Sequence, residues 1–467
     1  MRAVGIDDIA VALPSLYMPV AELAVARDIE PGKLRHGLGL VDMAVCDTDE
    51  DVVTLAAKAV IQLVDRCGLT PDQIGRIYVG TESSIDGSKP IASYILGIVG
   101  QHYQQQGQDI ETLRHCDVVD MTFACIGAVD AMHNSLAWLQ TQPSDDKVAI
   151  VVATDDAKYE LASSGEYTQG AGAVAVLLKS SPRLVEVDLQ VGVSSMDVHD
   201  FFKPLRLSIS DNAQSADEDL LQVTHRETPV FDGHFSNTTY ANRITEAWQH
   251  YKALSGDKAK IDSFAKYVFH LPYAYHGRRI MPDLYFSELE SIGQYSDYLT
   301  RHDLTVPDKS TMPADEYKQA KRAFTKARTK TPEFTELVAS KIEKGERLSS
   351  HVGNVYTASI FLSLVSTLMY GMDEALEGKD ILFVAYGSGS KSKVFRGQVC
   401  KEWKAVCQQW DVDGTMQSRT AITFDQYVNI RCHRLAQPVA ACKEIAQQAS
   451  GILPTNRFAR YYGMSAK

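Results

Sequence analysis

The sequence contains no apolar run of about eighteen residues, the length that a membrane-spanning helix needs. We therefore expect no transmembrane segment. It also lacks an excess of basic residues, since the formal net charge is −12. Nucleic acid binding depends on cations that neutralise phosphates, so this balance excludes nucleic acid as the main partner. With 467 residues, 45% of them hydrophobic, the chain is long enough for two packed halves.

Paired cysteines are missing as well. The eight cysteines are scattered, and none forms the C-x-x-C spacing of zinc or redox sites. That pattern is typical of a reducing compartment and not of a disulfide framework. The first residues, MRAVGIDDIAVALP, carry two early aspartates and lack the organisation of a secretory signal. We therefore predict a cytoplasmic protein with no structural disulfides and no bound metal.

A nucleotide-binding glycine loop is also absent. The segment GAGAVAVLL at residues 170–178 is rich in small residues, but no G-x-G-x-x-G that opens a helix follows it. Its continuous apolar character is typical of a buried strand. We therefore predict that this segment belongs to the core and that the protein uses no cofactor.

What the sequence does contain is a cysteine at a strand–helix junction. Residues 118–123 are apolar enough for a buried strand, and from Ile126 onward apolar residues recur at helical spacing. Cys125 lies between the two, where free backbone N–H groups and the positive end of the helix dipole favour a thiolate. A buried structural cysteine is the alternative, because cysteine is among the most buried residue types.

A glutamate follows another short buried strand. Residues 77–80 form this apolar strand, and Glu82 comes just after it. Burial raises the pKa of a carboxylic acid toward that of a usable general base. A helix-capping or surface carboxylate is the alternative, and on these residues alone both interpretations stay open.

The order of parts repeats along the chain. In the first half, a strand before Glu82 precedes a helix opened near Cys125, and a further strand follows. In the second half, a strand ending at His270 precedes a helix opened near Asn354, and the next strand ends in a Gly-Ser-Gly turn. A duplicated α/β unit would bring all these strand ends to one place.

We predict an N-terminal half at residues 1–180 and a C-terminal half at residues 181–467. The second half carries a charged, largely helical insertion around residues 315–347, which is either a solvated excursion or a surface for an acidic partner. Residues 33–40, KLRHGLGL, are predicted to form a glycine-bearing loop. Its cations either meet an anionic ligand or form a solvated turn. A final helix is predicted at residues 438–449.

If the strand ends converge, one pocket holds a cysteine, a glutamate, a histidine and an asparagine beside a glycine turn. A cysteine thiolate attacks a thioester and yields a second thioester, which is acyl transfer. Glu82 would remove a methyl proton from acetyl-Cys125, while His270 and Asn354 polarise an oxygen of a second substrate. The N–H groups of Cys125 and Ser388 would form an oxyanion hole. The constellation indicates carbon–carbon bond formation.

The motifs around these residues resemble those of the 3-hydroxy-3-methylglutaryl-CoA synthase family, in the thiolase-like superfamily. They are VGTESSID around Glu82, the AC-x-G context of Cys125, DFFKP, PV-x-DG, FHLPY around His270, GNVYTAS and FVAYGSG. They come in family order and span residues 33 to about 397. Each motif alone is weak, but GTE-x-x-ID, FH-x-PY and YGSG together are a specific signal.

The resemblance implies a five-layered αβαβα fold of two pseudo-symmetric halves and a homodimer. It also implies condensation of acetyl-CoA with acetoacetyl-CoA to HMG-CoA and CoA, in the mevalonate pathway of isoprenoid biosynthesis. In that reaction Cys125 is the acylated nucleophile, Glu82 the general acid/base and His270 the residue that binds acetoacetyl-CoA. The residues in the family's supporting positions are Asp155, Asp200, Asn354, Tyr356, Gly387 and Ser388. The CoA thioesters are substrates, so no cofactor is implied.

The chain departs from the family in two places. The residue after the nucleophile, often aromatic in the family, is Ile126. The lysines that often contact CoA after FH-x-PY are replaced by the run AYHGRR at residues 274–279. The predicted CoA contacts are therefore Arg35, Arg278 and Arg279.

A β-branching synthase of polyketide assembly, which takes acyl groups from carrier proteins, is the alternative function. The missing lysines permit it, and the cationic insertion offers a surface for an acidic carrier protein. GTESSID and GNVYTAS, however, resemble the primary-metabolism branch more closely. A ketoacyl synthase or thiolase is disfavoured, because those sites do not place a glutamate at the position of Glu82. The complete Glu–Cys–His set makes a non-catalytic scaffold the weakest interpretation.

Overall fold

The computed structural model describes residues 2–208, 222–225, 227–256, 259–441, 445–448 and 460–464. Its strands are β1 (Val4–Ala12), β2 (Leu16–Pro19), β3 (Asp42–Val45), β4 (Ile74–Gly80), β5 (Asp117–Met121), β6 (Val148–Asp156), β7 (Ala171–Ser180), β8 (Val185–Ser195), β9 (Phe201–Phe202), β10 (Leu205–Ser208), β11 (Gln222–His225), β12 (Val230–Phe231), β13 (Lys266–Phe269), β14 (Asp380–Gly387), β15 (Lys391–Val399), β16 (Thr420–Ala421), β17 (Ile445–Gln448) and β18 (Tyr461–Met464). Its helices are α1 (Val20–Ala26), α2 (Pro31–Leu38), α3 (Val52–Cys67), α4 (Ile91–Gln105), α5 (Gly127–Gln140), α6 (Gly233–Ser255), α7 (His276–Ser291), α8 (Tyr295–Arg301), α9 (Ala314–Arg328), α10 (Pro332–Lys341), α11 (Glu343–Val352), α12 (Ser359–Met369), α13 (Trp403–Cys407), α14 (Val412–Gln417) and α15 (Phe424–Arg431).

The main sheet has the strand order β13-β14-β15-β8-β1-β7-β6-β4-β5. In the N-terminal half, β4 is parallel to both β5 and β6, whereas β7 is antiparallel to β6 and β1. Strands β6 and β7 are buried along almost their whole length. Their sequences are therefore continuously apolar rather than alternating, as expected for strands covered on both faces. The segment at residues 170–178 is a core strand, as predicted.

The C-terminal half repeats this order of pairings. Strand β13 is parallel to β14, as β4 is to β6, and β15 is antiparallel to β14 and β8, as β7 is to β6 and β1. The two halves join where Gly5 pairs with Glu186 and Ile6 with Val185. The repeated order read from the sequence is therefore present in the sheet.

Three apolar clusters divide the molecule into five layers. The central cluster contains α5 and α12 and packs against strands of both halves. A second cluster places α3 and α4 on the N-terminal strands, and a third places α6 and α7 on the C-terminal strands. Helix α12 is buried on nearly all sides, so it is apolar all round instead of amphipathic. The predicted αβαβα fold of two pseudo-symmetric halves is confirmed.

The charged insertion is helical, but only part of it is a solvated excursion. Helix α9 has no buried residue and carries cations in its last turn. In α10 and α11, however, Phe334, Leu337 and Glu346 are buried. The expectation of a wholly solvated segment is wrong beyond α9, because apolar residues at helical spacing pack the next two helices onto the core.

Residues 33–40 are mostly helical, so the predicted glycine loop is wrong. Helix α2 begins at Pro31, whose missing N–H is harmless in the first turn, and Glu30 accepts a hydrogen bond from the Gly32 N–H. Gly39 ends the helix with a φ of 75°. The last glycine of the motif is therefore a helix cap and not a loop residue.

The tail and one helix start also differ from expectation. Residues 445–448, inside the predicted final helix, form β17, which pairs antiparallel with β18. Ile445 is buried against the α3 and α4 cluster, and this packing outweighs a weak helical pattern. Helix α12 begins at Ser359, because a 3₁₀ turn at Tyr356–Ala358 separates it from Asn354.

Among the helices that the structure describes, none combines the length and apolar character needed to span a bilayer. Within the same residues, no group of three or more His, Cys, Asp or Glu side chains is arranged to hold a metal ion. The described cysteines, all of them free thiols, are Cys46, Cys67, Cys116, Cys125, Cys400, Cys407 and Cys432. Cys442 lies outside the described residues.

Candidate active site

The candidate nucleophile lies in the loop between β5 and α5. Cys125 comes two residues before the first residue of α5, as predicted, and is 8% exposed. The preceding residue, Ala124, has a φ of 39°, a left-handed conformation that non-glycine residues rarely adopt. Gly80 at the end of β4 lets α5 approach, because a Cβ there would lie 2.2 Å from the nitrogen of Ala128. The junction therefore presents the cysteine from a tightly constrained turn.

Glu82 contacts the thiol directly. The Sγ of Cys125 donates a hydrogen bond to Oε1 of Glu82 at 3.0 Å. Burial, followed by the negative charge of Glu82, raises the pKa of the Cys125 thiol well above its usual value. The expectation that the helix dipole favours a thiolate is therefore wrong for the free protein. The resting pair is a neutral thiol that donates to a carboxylate.

Asp155, at the end of β6, holds the loop that carries Glu82. Its Oδ1 accepts from the N–H of Glu82 at 2.7 Å and from the hydroxyl of Ser83 at 2.9 Å. Its Oδ2 accepts from the N–H and the hydroxyl of Thr357, at 3.0 and 2.6 Å. Burial and the charge of Glu82 raise the pKa of Asp155. This carboxyl group therefore ties the Glu82 loop of the first half to the 3₁₀ turn of the second.

A lysine that sequence reasoning did not select lies beside Glu82. The Nζ of Lys203 is 3.7 Å from Oε2 of Glu82 and donates to the Glu82 carbonyl at 3.3 Å. The same ammonium lies 4.3 Å from the centre of the Tyr356 ring. Lys203 belongs to the DFFKP motif, but a lone loop cation has no spacing partner in the sequence that would mark it.

Aromatic side chains enclose the thiol. The residues clustered around Cys125 are Ala157, Tyr159, Phe201, Phe231 and Tyr356. Tyr159 makes edge contacts with Phe201 and Phe231, at centroid distances of 6.3 and 5.4 Å. Tyr356 is fully buried and has a φ of 39°. Such an enclosure lowers the local dielectric and so strengthens interactions between charges inside it.

Asn354 supports this wall. Its Oδ1 accepts from the N–H of Tyr356 at 2.9 Å and from the hydroxyl of Ser359 at 3.0 Å. Its own N–H donates to the carbonyl of Thr168 at 2.8 Å. The carboxamide oxygen of Asn354 is therefore used to fix the turn that holds Tyr356.

His270 follows β13 as a buried, neutral imidazole. Burial lowers the pKa of His270 to about 3. Its Nδ1 is buried and has no hydrogen-bond partner among the described residues. The hydroxyl of Tyr240 donates to the His270 carbonyl at 2.8 Å, and the His270 N–H donates to the carbonyl of Val384 at 3.0 Å. The imidazole can therefore act on a ligand as a neutral hydrogen-bond donor.

A row of rings connects His270 with the Gly-Ser-Gly turn. The Tyr240 ring lies 6.3 Å from the His270 ring and 4.4 Å from the Tyr386 ring. The hydroxyl of Tyr386 donates to one oxygen of Asp200 at 2.5 Å, and the Gly389 N–H donates to the other at 2.8 Å. Asp200 is fully buried, so it fixes this turn rather than facing solvent.

The turn packs against the nucleophile loop. A Cβ on Gly387 would lie 2.7 Å from Cγ2 of Ile126 and 2.7 Å from the carbonyl oxygen of Phe123. Ser388 follows, half-buried. Burial and, next, the charge of Cys125 raise the pKa of Tyr240, which puts the row of rings within electrostatic reach of the sulfur. The structure thus brings the cysteine, the glutamate and the turn together and connects the histidine to them.

The predicted CoA contacts differ in availability. Arg35 is exposed on α2. Arg278 forms an ion pair with the buried carboxylate of Glu346. Arg279 donates to the carbonyl of Gly37 at 2.6 Å and is exposed there. Because Glu346 already engages Arg278, Arg35 and Arg279 are the better candidates for phosphate contacts.

Comparison with known proteins assigns both halves to one family. The family model described as Hydroxymethylglutaryl-coenzyme A synthase N terminal matches residues 1–182, and the one described as C terminal matches residues 187–451. A hydroxymethylglutaryl-CoA synthase from Haloferax volcanii is 32% identical over 437 residues and covers 91% of each chain. One from Enterococcus faecalis is 28% identical over 425 residues, which cover 91% of this chain and 90% of that protein.

Solved structures show the same relationship. The structure described as MvaS in complex with 3-hydroxy-3-methylglutaryl coenzyme A has a TM-score of 0.78 at 28% identity, with 100% of both chains covered. The curacin biosynthetic pathway HMG synthase in complex with holo donor-ACP has a TM-score of 0.74 at 21% identity, with 99% of this chain covered, and shows the shared fold alone. The chain belongs to the hydroxymethylglutaryl-CoA synthase family of thiolase-like condensing transferases.

Proposed function

We propose that this chain condenses acetyl-CoA with acetoacetyl-CoA through an acetyl-Cys125 intermediate and releases HMG-CoA and CoA. The observation that carries the proposal is the 3.0 Å hydrogen bond between the Cys125 thiol and Glu82. A nucleophile in contact with a proton acceptor is the pair that both acyl transfer and carbanion formation require. The similar structure described as MvaS holds HMG-CoA, which is the proposed product.

The first proposed step acetylates the cysteine. Cys125 gives its proton to Glu82 while the sulfur attacks the thioester carbon of acetyl-CoA. The bond between that carbon and the CoA sulfur then breaks, and the CoA thiolate takes the proton from Glu82. Because burial disfavours a free thiolate at Cys125, transfer to a carboxylate already in contact is the favoured route.

The second step makes the carbon nucleophile. Glu82, again a carboxylate, removes a proton from the methyl group of acetyl-Cys125, and negative charge moves onto the thioester oxygen. We assign the backbone N–H groups of Cys125 and Ser388 to hold that oxygen. The close packing of Gly387 on the nucleophile loop supports this assignment, since it keeps the neighbouring Ser388 near the sulfur.

The third step joins the two substrates. The methylene carbon attacks the C3 ketone of acetoacetyl-CoA, whose oxygen accepts a hydrogen bond from neutral His270. Protonated Glu82 returns its proton to the new alkoxide, which becomes the tertiary hydroxyl group. Water then cleaves the thioester, so that Cys125 regains its thiol and HMG-CoA leaves as the free carboxylic acid. The sum is one water consumed and one CoA released.

A carrier protein as the acceptor's handle is the second candidate. Tyr275 stands in the run where the family often has CoA-binding lysines, and Arg278 is held by Glu346. Helix α9 meanwhile exposes cations that an acidic carrier protein would fit. These features favour the alternative, whereas Arg35 and Arg279 support phosphate contacts with CoA.

Radiolabelled acetyl-CoA tests both candidates. We expect label on Cys125 in the wild type and in Cys116→Ala, which removes a different buried cysteine, and none in Cys125→Ala. Acetoacetyl-CoA should then discharge the label as HMG-CoA. Faster discharge by acetoacetyl carrier protein would favour the alternative, and a wild type that takes up no label would contradict the proposal.

The proposed assembly is a homodimer that serves the mevalonate pathway of isoprenoid biosynthesis in the cytoplasm. Strand β5 is the last strand of the main sheet in the described residues, so one of its backbone edges has no neighbouring strand. Such an edge is a template for pairing with a second chain. Strand β5 also leads directly into the loop of Cys125, so pairing there would brace the nucleophile.

A further inference from the structure

Glu82 lies between a proton donor and a cation. One carboxylate oxygen accepts from the Cys125 thiol at 3.0 Å, and the other lies 3.7 Å from Nζ of Lys203. The side chain of Glu82 is 6% exposed and that of Lys203 is 15% exposed. Water therefore screens this pair poorly, and the ammonium acts strongly on the ionisation of the carboxylate.

The other ionisable groups around Glu82 are neutral or acidic. They come from the nucleophile loop, from the end of β6 and the turn after it, and from the 3₁₀ turn, and are Cys125, Asp155, Tyr159 and Tyr356. A second carboxyl group beside Glu82 favours protonation of one of the two. Lys203 supplies the opposing positive charge within this set.

The position of the ammonium is itself fixed. Lys203 donates to the backbone carbonyl of Glu82 at 3.3 Å and lies 4.3 Å from the centre of the Tyr356 ring. Tyr356 is fully buried and belongs to the turn that Asp155 holds through Thr357. A cation over an aromatic face is stabilised by the ring, so the lysine is held where it meets Glu82.

We propose that Lys203 is a positioning residue of the reaction: its ammonium keeps Glu82 ionised between turnovers and aligns the carboxylate with the sulfur of Cys125. The inference rests on the proposed function, in which Glu82 accepts the methyl proton. Lys203 itself transfers no proton and forms no bond to substrate. Its effect is to decide the pH below which the base is lost.

The test is the pH profile of condensation in Lys203→Met and Lys203→Arg. Loss of the cation disfavours the carboxylate, so the acid limb of the Lys203→Met profile should move to higher pH by about one to three units. At neutral pH kcat should fall about tenfold or more, with recovery at alkaline pH. Lys203→Arg keeps the charge and should return the acid limb close to its wild-type position.

Lys158→Met is the matched control. Lys158 lies 3.2 Å from Asp156 and 3.0 Å from Glu227, so its loss should leave the acid limb in place. Full labelling of Cys125 after prolonged incubation with acetyl-CoA shows that each variant is folded. An unchanged acid limb in labelled Lys203→Met, or no restoration by Lys203→Arg, would overturn the inference. Absence of label in the wild type would instead overturn the proposed function.

Discussion

Two neighbouring side chains share one proton at the centre of the site. The Cys125 thiol donates to Glu82, and the negative charge of Glu82 is one of the causes that raise the pKa of that thiol. The nucleophile is therefore held in its neutral form until a substrate arrives. The same carboxylate is then free to act on the methyl group, because acetylation removes the thiol proton from the pair.

Replacing Glu82 should separate the two steps of the reaction. In Glu82→Ala the anion that raises the pKa of Cys125 is gone, so the thiol forms a thiolate more readily. We expect acetyl label on Cys125 to near the wild-type extent, and condensation about 100- to 10,000-fold slower, since general base catalysis contributes on that order. Single-turnover labelling and steady-state release of HMG-CoA measure the two steps. Condensation at the normal rate would show that another group is the base.

His270 should affect the second substrate above all. Burial keeps this imidazole neutral, so His270→Ala removes one uncharged hydrogen-bond donor. We expect KM for acetoacetyl-CoA to rise about tenfold, in line with a neutral hydrogen bond, and acetylation of Cys125 to continue. The pH profile between about pH 6 and 9 should keep its shape, because the lost group does not titrate there. An unchanged KM would place the acceptor elsewhere.

At this scale the sequence identified most residues of the pocket but not its charge balance. Glu82, Cys125 and His270 each stand at the end or start of a regular element, where pattern reading can find them. Lys203 stands in an irregular loop, and its contact with Glu82 depends on how two distant segments pack. The pKa of Cys125 was expected to fall, because helix position is visible in a sequence whereas burial beside a carboxylate is not.

At the scale of elements, the pocket forms where the two halves meet. Helix α5 follows the nucleophile loop, and strand β14 delivers the Gly-Ser-Gly turn against that loop. The contact is close only because Gly387 has no side chain. The repeat of strand pairings places these two connections at equivalent positions of the halves, so one interface serves both.

A side chain at Gly387 should push the turn away from the sulfur. Gly387→Val would put its Cβ against Ile126 and the carbonyl of Phe123, each at 2.7 Å. Overpacking of this kind costs about 1–3 kcal/mol of unfolding free energy, and the displaced Ser388 N–H would lower kcat. Urea denaturation and condensation assays measure the two effects.

Gly97→Ala in α4 serves as the control for this change. A Cβ at Gly97 meets nothing within 4 Å, and alanine is the better helix former by about 1 kcal/mol. This variant should therefore be as stable as the wild type or more stable, with unchanged kcat. Equal activity of Gly387→Val and Gly97→Ala would contradict the role given to the turn.

Element boundaries were predictable wherever one signal dominated. Strands β6, β7 and β14 are continuous apolar runs, and the helix after Cys125 has clear spacing. Helix α2 was missed because Gly37 and Gly39 outweighed the cap at Glu30 and Pro31. The tail strand β17 was missed because its pairing with β18 and its packing on α3 and α4 are tertiary contacts.

At the scale of the whole molecule, the proposed dimer and the chemistry depend on the same strand. In the described residues β5 pairs with β4 on one side only, and its last residue lies four positions before Cys125. A second copy aligned along that edge would satisfy its backbone groups and hold the nucleophile loop from outside. Solvent at that edge would leave the loop braced by β4 and α5 alone.

Dilution should therefore lower activity together with mass. We expect sedimentation velocity to give a two-chain species at micromolar concentration and a single chain at sufficiently low concentration. Specific activity should fall over the same range, because dissociation exposes β5 and loosens the turn at Ala124 that presents Cys125. Circular dichroism across the series establishes that the separated chains stay folded. Activity per chain that stays constant while the mass halves would show that the nucleophile loop needs no partner.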